Sequence, residues 1–253
     1  MGRVEGKVCL VTGGGSGLGR ADCIRLAEEG ASVVVTDVDV PGGEETVRLA
    51  GSNAIFMQQD VADEERWQGV IADTLSHFGK LNVLVNNAGI VIPGTVESVT
   101  TEHWRLHQQI HMDGAFFGLK YGIGAIKQNG EMGSIINMSS TTALQGYSPV
   151  FAYGAAKGAL RTMTKHAAVH CLNSGYKIRV NSLHPGVIDT PMVRGMAAGT
   201  PIPASDVSAP PVNPVGLGEP MDVANTVLFL ASDESKFING VELPIDNTQT
   251  IQP

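Results

Sequence analysis

Short apolar runs rich in valine, isoleucine and leucine alternate along this chain with longer amphipathic stretches. Most runs are apolar throughout, as in Val33-Val34-Val35, which is typical of parallel strands buried on both faces. Seven have the length of a strand: Val8–Val11, Ser32–Thr36, Ala54–Gln58, Val83–Val85, Ser134–Asn137, Arg179–Leu183 and Val241–Ile245. Because strands that alternate with helices form βαβ units, the pattern predicts an α/β fold. We expect a single doubly wound domain, residues 1–253, with a seven-stranded parallel sheet and helices on both faces.

One long stretch of the chain shows no clear period. Residues 191–220 are rich in proline, glycine, alanine and methionine, and they follow the end of a predicted strand. Long irregular segments in compact domains are commonly functional, and open α/β sheets bind ligands beyond the carboxyl ends of their strands. We therefore expect residues 191–220 to form a substrate lid, with an apolar lining from Met192, Val193, Met196 and Ile202.

The composition narrows the class of partner. The chain has 253 residues, 43% of them apolar, and a formal net charge of −8. This acidity disfavours nucleic acid and anionic membranes and favours a small uncharged substrate. Cys9, Cys23 and Cys171 are far apart, so we expect buried thiols and no disulfide or zinc site. The first apolar run is too short for a signal peptide or membrane span, and we expect a cytoplasmic protein.

A glycine-rich turn follows the first predicted strand. Residues 12–19 read TGGGSGLG and lead into an amphipathic helix that begins near Arg20. Glycines at a strand-to-helix turn let the backbone approach a pyrophosphate, whose charge is stabilised by free N–H groups and by the helix dipole. The spacing is T-G-x-x-x-G-x-G and differs from G-x-G-x-x-G. The residues expected to contact a dinucleotide here are Gly13, Ser16, Gly17, Leu18 and Gly19.

An acidic residue at the end of the second predicted strand bears on the choice of cofactor. Asp37 can accept hydrogen bonds from the adenosine ribose and would repel a 2′-phosphate, which favours NAD over NADP. No lysine or arginine lies within the glycine turn or directly beside Asp37. Two further groups close the next strands at the same sheet edge and are expected to face the cofactor: Asp60 and Val61, then Asn87, Ala88 and Gly89.

Tyr153 and Lys157 lie four residues apart in a predicted helix, which puts the phenol and the ammonium on one face. A nearby ammonium stabilises phenolate, so we expect Lys157 to lower the pKa of Tyr153 towards the working pH, as a general acid/base requires. Ser139 and Ser140 end the fifth predicted strand just upstream. Either hydroxyl would hold a substrate oxygen in the same pocket.

Taken in order, these motifs resemble the short-chain dehydrogenase/reductase family. The chain carries TGGGSGLG at 12–19, NNAG at 86–89, Ser140, YGAAK at 153–157, Asn181, and Pro185-Gly186 followed by Thr190. They span most of the chain in the family's order, and the combination is far more specific than any single motif. The family's usual spacing between serine and tyrosine selects Ser140 over Ser139.

The resemblance implies a Rossmann domain that moves a hydride between NAD(H) and an alcohol or ketone carbon. In that scheme Tyr153 exchanges the hydroxyl proton, Lys157 lowers its pKa and bonds the nicotinamide ribose, and Ser140 orients the substrate oxygen. Asn87 and Gly89 would line the cofactor. The segment expected to contact the carboxamide comprises Pro185, Gly186, Val187, Ile188 and Thr190. The family also implies a homotetramer in which two long helices, about 101–127 and 153–173, pack against partner subunits.

One position departs from the family. Counting from the NNAG motif, the family's fourth catalytic residue, an asparagine that supports a proton-relaying water, falls on His111. Histidine can also relay a proton, since its unperturbed pKa is about 6.5. The alternative is that His111 only fills space and the relay is lost or rerouted.

Histidines recur at four-residue spacing, which invites a metal interpretation. They are His103, His107 and His111, then His166 and His170. No carboxylate or cysteine completes a recognisable ligand set, and hydride transfer to a nicotinamide needs no metal. We expect packing roles for these residues and no metal site.

The expected substrate is a hydrophobic secondary alcohol or ketone, such as a hydroxysteroid or terpenoid. Residues 176–185 resemble bacterial hydroxysteroid and secondary-alcohol dehydrogenases, while Asn247-Thr248 departs from the family's usual Asp-Gly-Gly ending. A dihydrodiol dehydrogenase fits every motif equally well. A 3-oxoacyl carrier protein reductase would normally prefer NADPH and present basic residues, which Asp37 and the net charge oppose. Outside this class, the substitution at His111 leaves a catalytically silent NAD-binding regulatory protein as an alternative.

Overall fold

A computed structural model describes residues 2–199 and 216–251. Seven strands form one parallel sheet in the order β3-β2-β1-β4-β5-β6-β7. The strands are β1 (Val8–Thr12), β2 (Ser32–Asp37), β3 (Ala54–Gln58), β4 (Val83–Asn86), β5 (Gly133–Met138), β6 (Ile178–Pro185) and β7 (Glu242–Ile245). Each overlaps a predicted strand, so the doubly wound α/β fold is confirmed. The strand order reverses between β1 and β4, where such sheets open a ligand crevice.

Eight α-helices cover the two faces of the sheet within the described residues. They are α1 (Gly17–Glu28), α2 (Val40–Ala50), α3 (Glu64–Phe78), α4 (Thr101–His107), α5 (Gly114–Ile126), α6 (Phe151–Asn173), α7 (Pro191–Gly199) and α8 (Pro220–Ala231). A π-helical turn, Gln108–Asp113, joins α4 to α5, and short 3-10 turns cover Thr141–Ala143 and Asp233–Ser235. None of the helices in the described ranges is both long and apolar enough to cross a membrane.

Two apolar layers hold these helices to the sheet. One layer packs α1 and α8 on one face, with Cys23, Leu26 and Val227 at its centre. The other packs α3, α5 and α6 on the opposite face around Trp67 and Cys171. All three cysteines are free and buried, as the sequence predicts. Burial of both faces explains why the strands are apolar throughout.

The segment expected to be a lid begins with regular structure. Pro191–Gly199 is helix α7, although the sequence there shows no clear period. Proline at the first position of a helix needs no backbone N–H partner, so Pro191 starts this helix where the composition suggested only a loop. Residues 200–215 of the segment, including Ile202, lie outside the described residues.

Candidate active site

A cleft along the carboxyl edge of the sheet collects the residues that the motifs single out. It is lined by Gly13, Ser16, Gly17, Leu18, Asp37, Asp60, Val61, Asn87, Ala88, Gly89, His111, Ser140, Tyr153, Lys157, Pro185, Gly186, Ile188 and Thr190. These residues come from six strand ends, the start of α1, the π-helical turn and α6. The sheet topology therefore assembles in space what the sequence distributes over 178 positions, from Gly13 to Thr190.

Two residues predicted to contact the cofactor do not line this cleft. Gly19 is buried inside α1, and a Cβ atom there would overlap the carbonyl oxygen of Gly13. Gly19 therefore packs against the Gly13 backbone on the side of the glycine turn that faces away from the cleft. Val187 is 40% exposed and lies outside the lining.

The turns after β1 and β4 are tied together by hydrogen bonds. The Asn87 side-chain amide donates to the Thr12 carbonyl at 2.8 Å, and the Thr12 hydroxyl oxygen accepts from the Asn87 and Ala88 N–H groups at 3.0 Å each. Gly13 has φ +65, and a Cβ atom there would come within 2.8 Å of the Ala88 Cα. Only glycine fits this close approach.

The start of α1 suits a negatively charged group. No acidic residue lies in its first turn, and Ser16, at the N-cap, makes no side-chain capping bond. The first N–H groups of the helix are therefore not used by a capping side chain, and the helix dipole is positive at this end. The turn and its closely packed backbone fit the pyrophosphate of a dinucleotide.

Asp37 is fixed by backbone groups of its own neighbourhood. Its carboxylate accepts from the Gly15 N–H at 2.8 Å and from the Asp39 N–H at 2.9 Å. A Cβ atom at Gly15 would come within 2.8 Å of the Asp37 Oδ2. The glycine is therefore needed for the carboxylate to approach the turn, and Asp37 presents a fixed negative charge at the end of β2.

An arginine lies closer to this carboxylate than the sequence indicates. Arg20 is the residue after the turn, and α1 directs its guanidinium back onto the Gly15 carbonyl. The same group donates to the Thr46 hydroxyl at 3.0 Å and to the Gly42 carbonyl at 3.2 Å. Arg20 thus ties the turn to α2, and neutral backbone and hydroxyl acceptors engage its Nε and Nη2 atoms.

The two serines after β5 have different partners. The Ser139 hydroxyl donates to the Lys157 carbonyl at 2.9 Å and holds α6 against the sheet. The Ser140 hydroxyl oxygen accepts from the Thr142 N–H at 3.2 Å, and a hydrogen bond from this side chain lowers the pKa of Tyr153. Ser140 therefore faces the phenol, as the family spacing implies.

Lys157 is buried and Tyr153 is half-buried, and desolvation dominates the titration of both. It raises the pKa of Tyr153 to about 12, against the smaller opposite effect of the Ser140 hydrogen bond. It lowers the pKa of Lys157 to about 7. The Lys157 Nζ donates to the Met138 carbonyl at 2.7 Å and lies 5.4 Å from the centre of the Tyr153 ring. Desolvation is the largest effect on the pKa of Tyr153, and the lowering of this pKa by Lys157 stays a prediction.

His111 lies beside the phenol. Its ring meets the Tyr153 ring edge-on, with centres 5.5 Å apart, and its Nε2 is 2.8 Å from the Ile90 carbonyl oxygen. The Ile90 N–H lies 3.2 Å from the same nitrogen, so Nε2 either donates to the carbonyl or accepts from the N–H, according to the ring tautomer. The buried Nδ1 has no hydrogen-bond partner. Burial holds the pKa of His111 well below its usual value. A Cβ atom at Gly89 would overlap the imidazole, so glycine makes room for the ring.

The neighbouring histidines make backbone contacts. The His107 ring stacks on His111 with centres 5.8 Å apart, donates from Nδ1 to the His103 carbonyl at 2.7 Å, and accepts from the Ile92 N–H at 3.2 Å. Within residues 2–199 and 216–251, no group of three histidine, cysteine or acidic residues is arranged to hold a metal ion.

Several cleft residues carry no motif. Gln59, Ile90, Ile110 and Met138 line the cleft beside the predicted set. Gln59 is buried, and its side-chain amide has no protein partner. Its place directly after β3, next to Asp60, is a signal that sequence reasoning could have used. The two isoleucines could not be found this way, because no local pattern distinguishes a cleft residue from a core residue.

This cleft defines a class of protein. A glycine turn before a helix, an acidic residue at the next strand end and a serine–tyrosine–lysine group belong to oxidoreductases that use a nicotinamide dinucleotide. A family model described as "Enoyl-(Acyl carrier protein) reductase" matches residues 13–248. The chain belongs to the short-chain dehydrogenase/reductase family.

Individual relatives match the chain along its whole length. An NADP-dependent (R)-specific alcohol dehydrogenase of Lentilactobacillus kefiri is 40% identical over 252 residues, covering 99% of each chain. A 3-beta-hydroxysteroid dehydrogenase of Comamonas testosteroni is 39% identical over 247 residues, covering 97% of this chain and 96% of the relative. The crystal structure of levodione reductase superposes with a TM-score of 0.91 at 32% identity, covering 98% of this chain and 99% of the other.

Proposed function

We propose that this chain is an NAD(H)-dependent dehydrogenase that interconverts a hydrophobic secondary alcohol and its ketone. The observation that carries the proposal is that buried Ser140 and Lys157 meet half-buried Tyr153 in the cleft that the glycine turn opens. Relatives named as alcohol and hydroxysteroid dehydrogenases support the substrate class. The bound NAD would supply a carbon that accepts or returns hydride, and the residues around it position the substrate and move the proton.

The proton step belongs to Tyr153. In ketone reduction the phenol donates its proton to the carbonyl oxygen, while the Ser140 hydroxyl orients that oxygen. In alcohol oxidation the phenolate must take up the hydroxyl proton. Since the pKa of Tyr153 is raised to about 12, reduction proceeds from the abundant phenol at neutral pH, and oxidation accelerates as the pH rises. Lys157 would bind the nicotinamide ribose from the same side.

NAD is proposed over NADP because of the fixed charge of Asp37. A 2′-phosphate would meet a carboxylate held by two backbone N–H groups, and the Nε and Nη2 atoms of Arg20 already donate to the Thr46 hydroxyl and to the Gly15 and Gly42 carbonyls. One relative is named as NADP-dependent, so direct comparison of the two cofactors is needed. The remaining cofactor contacts proposed are those that line the cleft.

His111 is proposed as the fourth member of the catalytic group. Its imidazole ring meets the Tyr153 ring edge-on, and its buried Nδ1 has no partner, which supports a role in a proton relay. The alternative, that it only fills space, is distinguished by the pH dependence of a variant, which is considered below.

The substrate would lie on the apolar side of the cleft. Ile90, Ile110, Met192 and Val193 line it, which favours a bulky hydrophobic ligand such as a hydroxysteroid or terpenoid. We propose that residues 191–220, beginning with α7, act as its lid. A dihydrodiol dehydrogenase has the same requirements and remains the second candidate.

We further propose a cytoplasmic homotetramer. Buried free cysteines suit a reducing compartment. Apolar side chains on α5 and α6 are exposed in the single chain, notably Phe116, Val169 and Leu172, and such side chains commonly mark subunit interfaces.

The test is a panel of secondary alcohols and ketones, including steroids and monoterpenols, assayed with NAD(H) and NADP(H) by nicotinamide absorbance. We expect turnover with NAD(H) and a loss of about 10²- to 10⁴-fold in kcat for Tyr153→Phe, since general acid/base catalysis contributes that much. NAD binding should be retained by the variant. Undiminished turnover in Tyr153→Phe would contradict the proposal, and binding of NAD without turnover on any substrate would favour the catalytically silent protein.

A further inference from the structure

We infer that His184 is a positioning residue that sets the place of Ser140 at the reacting centre; the inference rests on the proposed function. His184 lies near the carboxyl end of β6 and is fully buried. It does not line the cleft, and the proton transfer proposed above makes no use of it. Its hydrogen bonds connect β6 to the turn after β5.

The two ring nitrogens of His184 have defined roles. Nδ1 lies 3.0 Å from the Ser140 carbonyl oxygen, and because a carbonyl only accepts, Nδ1 carries the proton. Nε2 is then free to accept from the Ser182 hydroxyl at 2.9 Å. Burial also lowers the pKa of His184, which keeps this neutral tautomer in place. The ring is therefore held at both ends in one orientation.

The consequence appears at Ser140. Its carbonyl accepts a second bond, from the Ala143 N–H at 3.0 Å, and its hydroxyl oxygen accepts from the Thr142 N–H. These bonds leave the hydroxyl proton to be directed at Tyr153, whose pKa that hydrogen bond lowers. The bond from His184 is a second link between this turn and β6, beside the Ser139 N–H bond to the Leu183 carbonyl at 2.8 Å, and it acts on Ser140 itself. Loss of the link should let Ser140 shift and weaken its contact with the phenol.

Two substitutions separate this role from simple packing. His184→Asn keeps an amide N–H near the position of Nδ1, so it can still donate to Ser140. His184→Gln places its amide near the position of Nε2, towards Ser182, and loses the bond to Ser140. Ser134→Ala is the matched control, because it removes a buried hydrogen bond, to the Leu230 carbonyl at 2.7 Å, at the other end of β5.

The measurements are kcat, the KM for NAD and the pH profile of alcohol oxidation, with Tyr153→Phe run in parallel. We expect His184→Gln to lower kcat by about tenfold, the scale of one lost hydrogen bond, to move the rising limb of the profile to higher pH, and to leave the KM for NAD unchanged. His184→Asn should recover most of kcat and the original profile. Ser182→Ala, which spares the bond to Ser140, should keep the original profile as well.

Equal behaviour of the Asn and Gln variants would overturn the inference, as would a loss in Ser134→Ala as large as that in His184→Gln. A profile shift in Ser182→Ala equal to that in His184→Gln would also overturn it. If Tyr153→Phe is inactive while His184→Gln is normal, only this inference fails. If Tyr153→Phe is fully active, the proposed function itself fails.

Discussion

The two sides of the cleft are built by different means. On the cofactor side, formed by the ends of β1 and β2 and the start of α1, backbone groups and glycines set the geometry: Gly15 donates to Asp37, and Gly13 fits against Ala88. On the catalytic side, formed by the ends of β5 and β6 and by α6, hydrogen bonds from buried side chains set the geometry. Ser139, Lys157 and His184 each bond to a backbone carbonyl.

The difference has an energetic consequence. Backbone geometry tolerates no added atom, so substitutions on the cofactor side should act through fit and charge. Buried titratable groups change their pKa with their surroundings, so substitutions on the catalytic side should act through proton transfer. The two sides are therefore distinguishable by whether a variant changes cofactor binding or the pH dependence of turnover.

The largest effect is expected at Lys157. Lys157→Met keeps an unbranched side chain but removes the ammonium that bonds the Met138 carbonyl. We expect kcat to fall by about 10²- to 10⁴-fold, with a smaller change in the dissociation constant for NAD. Single-turnover rates and NAD titration measure the two quantities. If Lys157→Met lost NAD binding but kept its single-turnover rate, a catalytic-side residue would act through cofactor binding. The proposed difference between the two sides would then be wrong.

Next in size is the effect of Asp37→Ser on cofactor choice. Placing the 2′-phosphate beside a like charge costs several kcal/mol in binding free energy. Asp37→Ser removes this cost, so the preference for NAD over NADP should fall by about a hundredfold. The ratio of kcat/KM for the two cofactors measures this. The pH profile of turnover should stay as in the parent, and an unchanged cofactor ratio would show that Asp37 does not select the cofactor.

A smaller effect is expected at Gly13, with Gly124 as the matched control. Gly13→Ala forces a side chain into positive φ and against Ala88, at a cost of about 1–3 kcal/mol in the free energy of unfolding, and should weaken NAD binding. A Cβ atom at Gly124, in α5, meets nothing within 4 Å, so Gly124→Ala should stabilise the helix by about 0.5–1 kcal/mol. Denaturant unfolding measures both. Equal shifts at the two positions would remove the steric argument for the turn.

The smallest effect is expected at His111. If His111 relays protons, His111→Ala lowers turnover in a pH-dependent way and leaves NAD affinity intact. Equal turnover of the variant and the parent across the pH range would contradict the relay.

A measurement of the stability of His111→Ala against pH complements the kinetics. Because the folded-state pKa lies below the unfolded value of about 6.5, the unfolded chain binds protons first, and the free energy of unfolding falls as pH drops below about 6.5. His111→Ala should reduce that fall.

Some features of the fold and site follow from short stretches of sequence. The apolar runs predict every strand, because a strand buried on both faces must be apolar throughout. The glycine turn and Asp37 are predictable because their geometry is set by residues close in sequence. The Tyr153–Lys157 pair is predictable because four residues make about one turn of a helix.

Other features depend on distant contacts. Helix α7 was missed because its sequence has no clear period, and Arg20 was not expected near Asp37 because the direction of its side chain is set by packing against α2. The desolvation that raises the pKa of Tyr153 also depends on distant contacts, since its charged neighbour is visible in the sequence while its surroundings are not.

The amino-acid sequence by itself determined the doubly wound sheet, the glycine turn and the identity of the serine, tyrosine and lysine, because local periodicity and spacing encode them. Only the tertiary structure decided how deeply the ionisable groups are buried, and that His184 holds the Ser140 carbonyl. The physical reason is that desolvation and hydrogen bonding between β5, β6 and α6 depend on elements brought together only when the sheet forms.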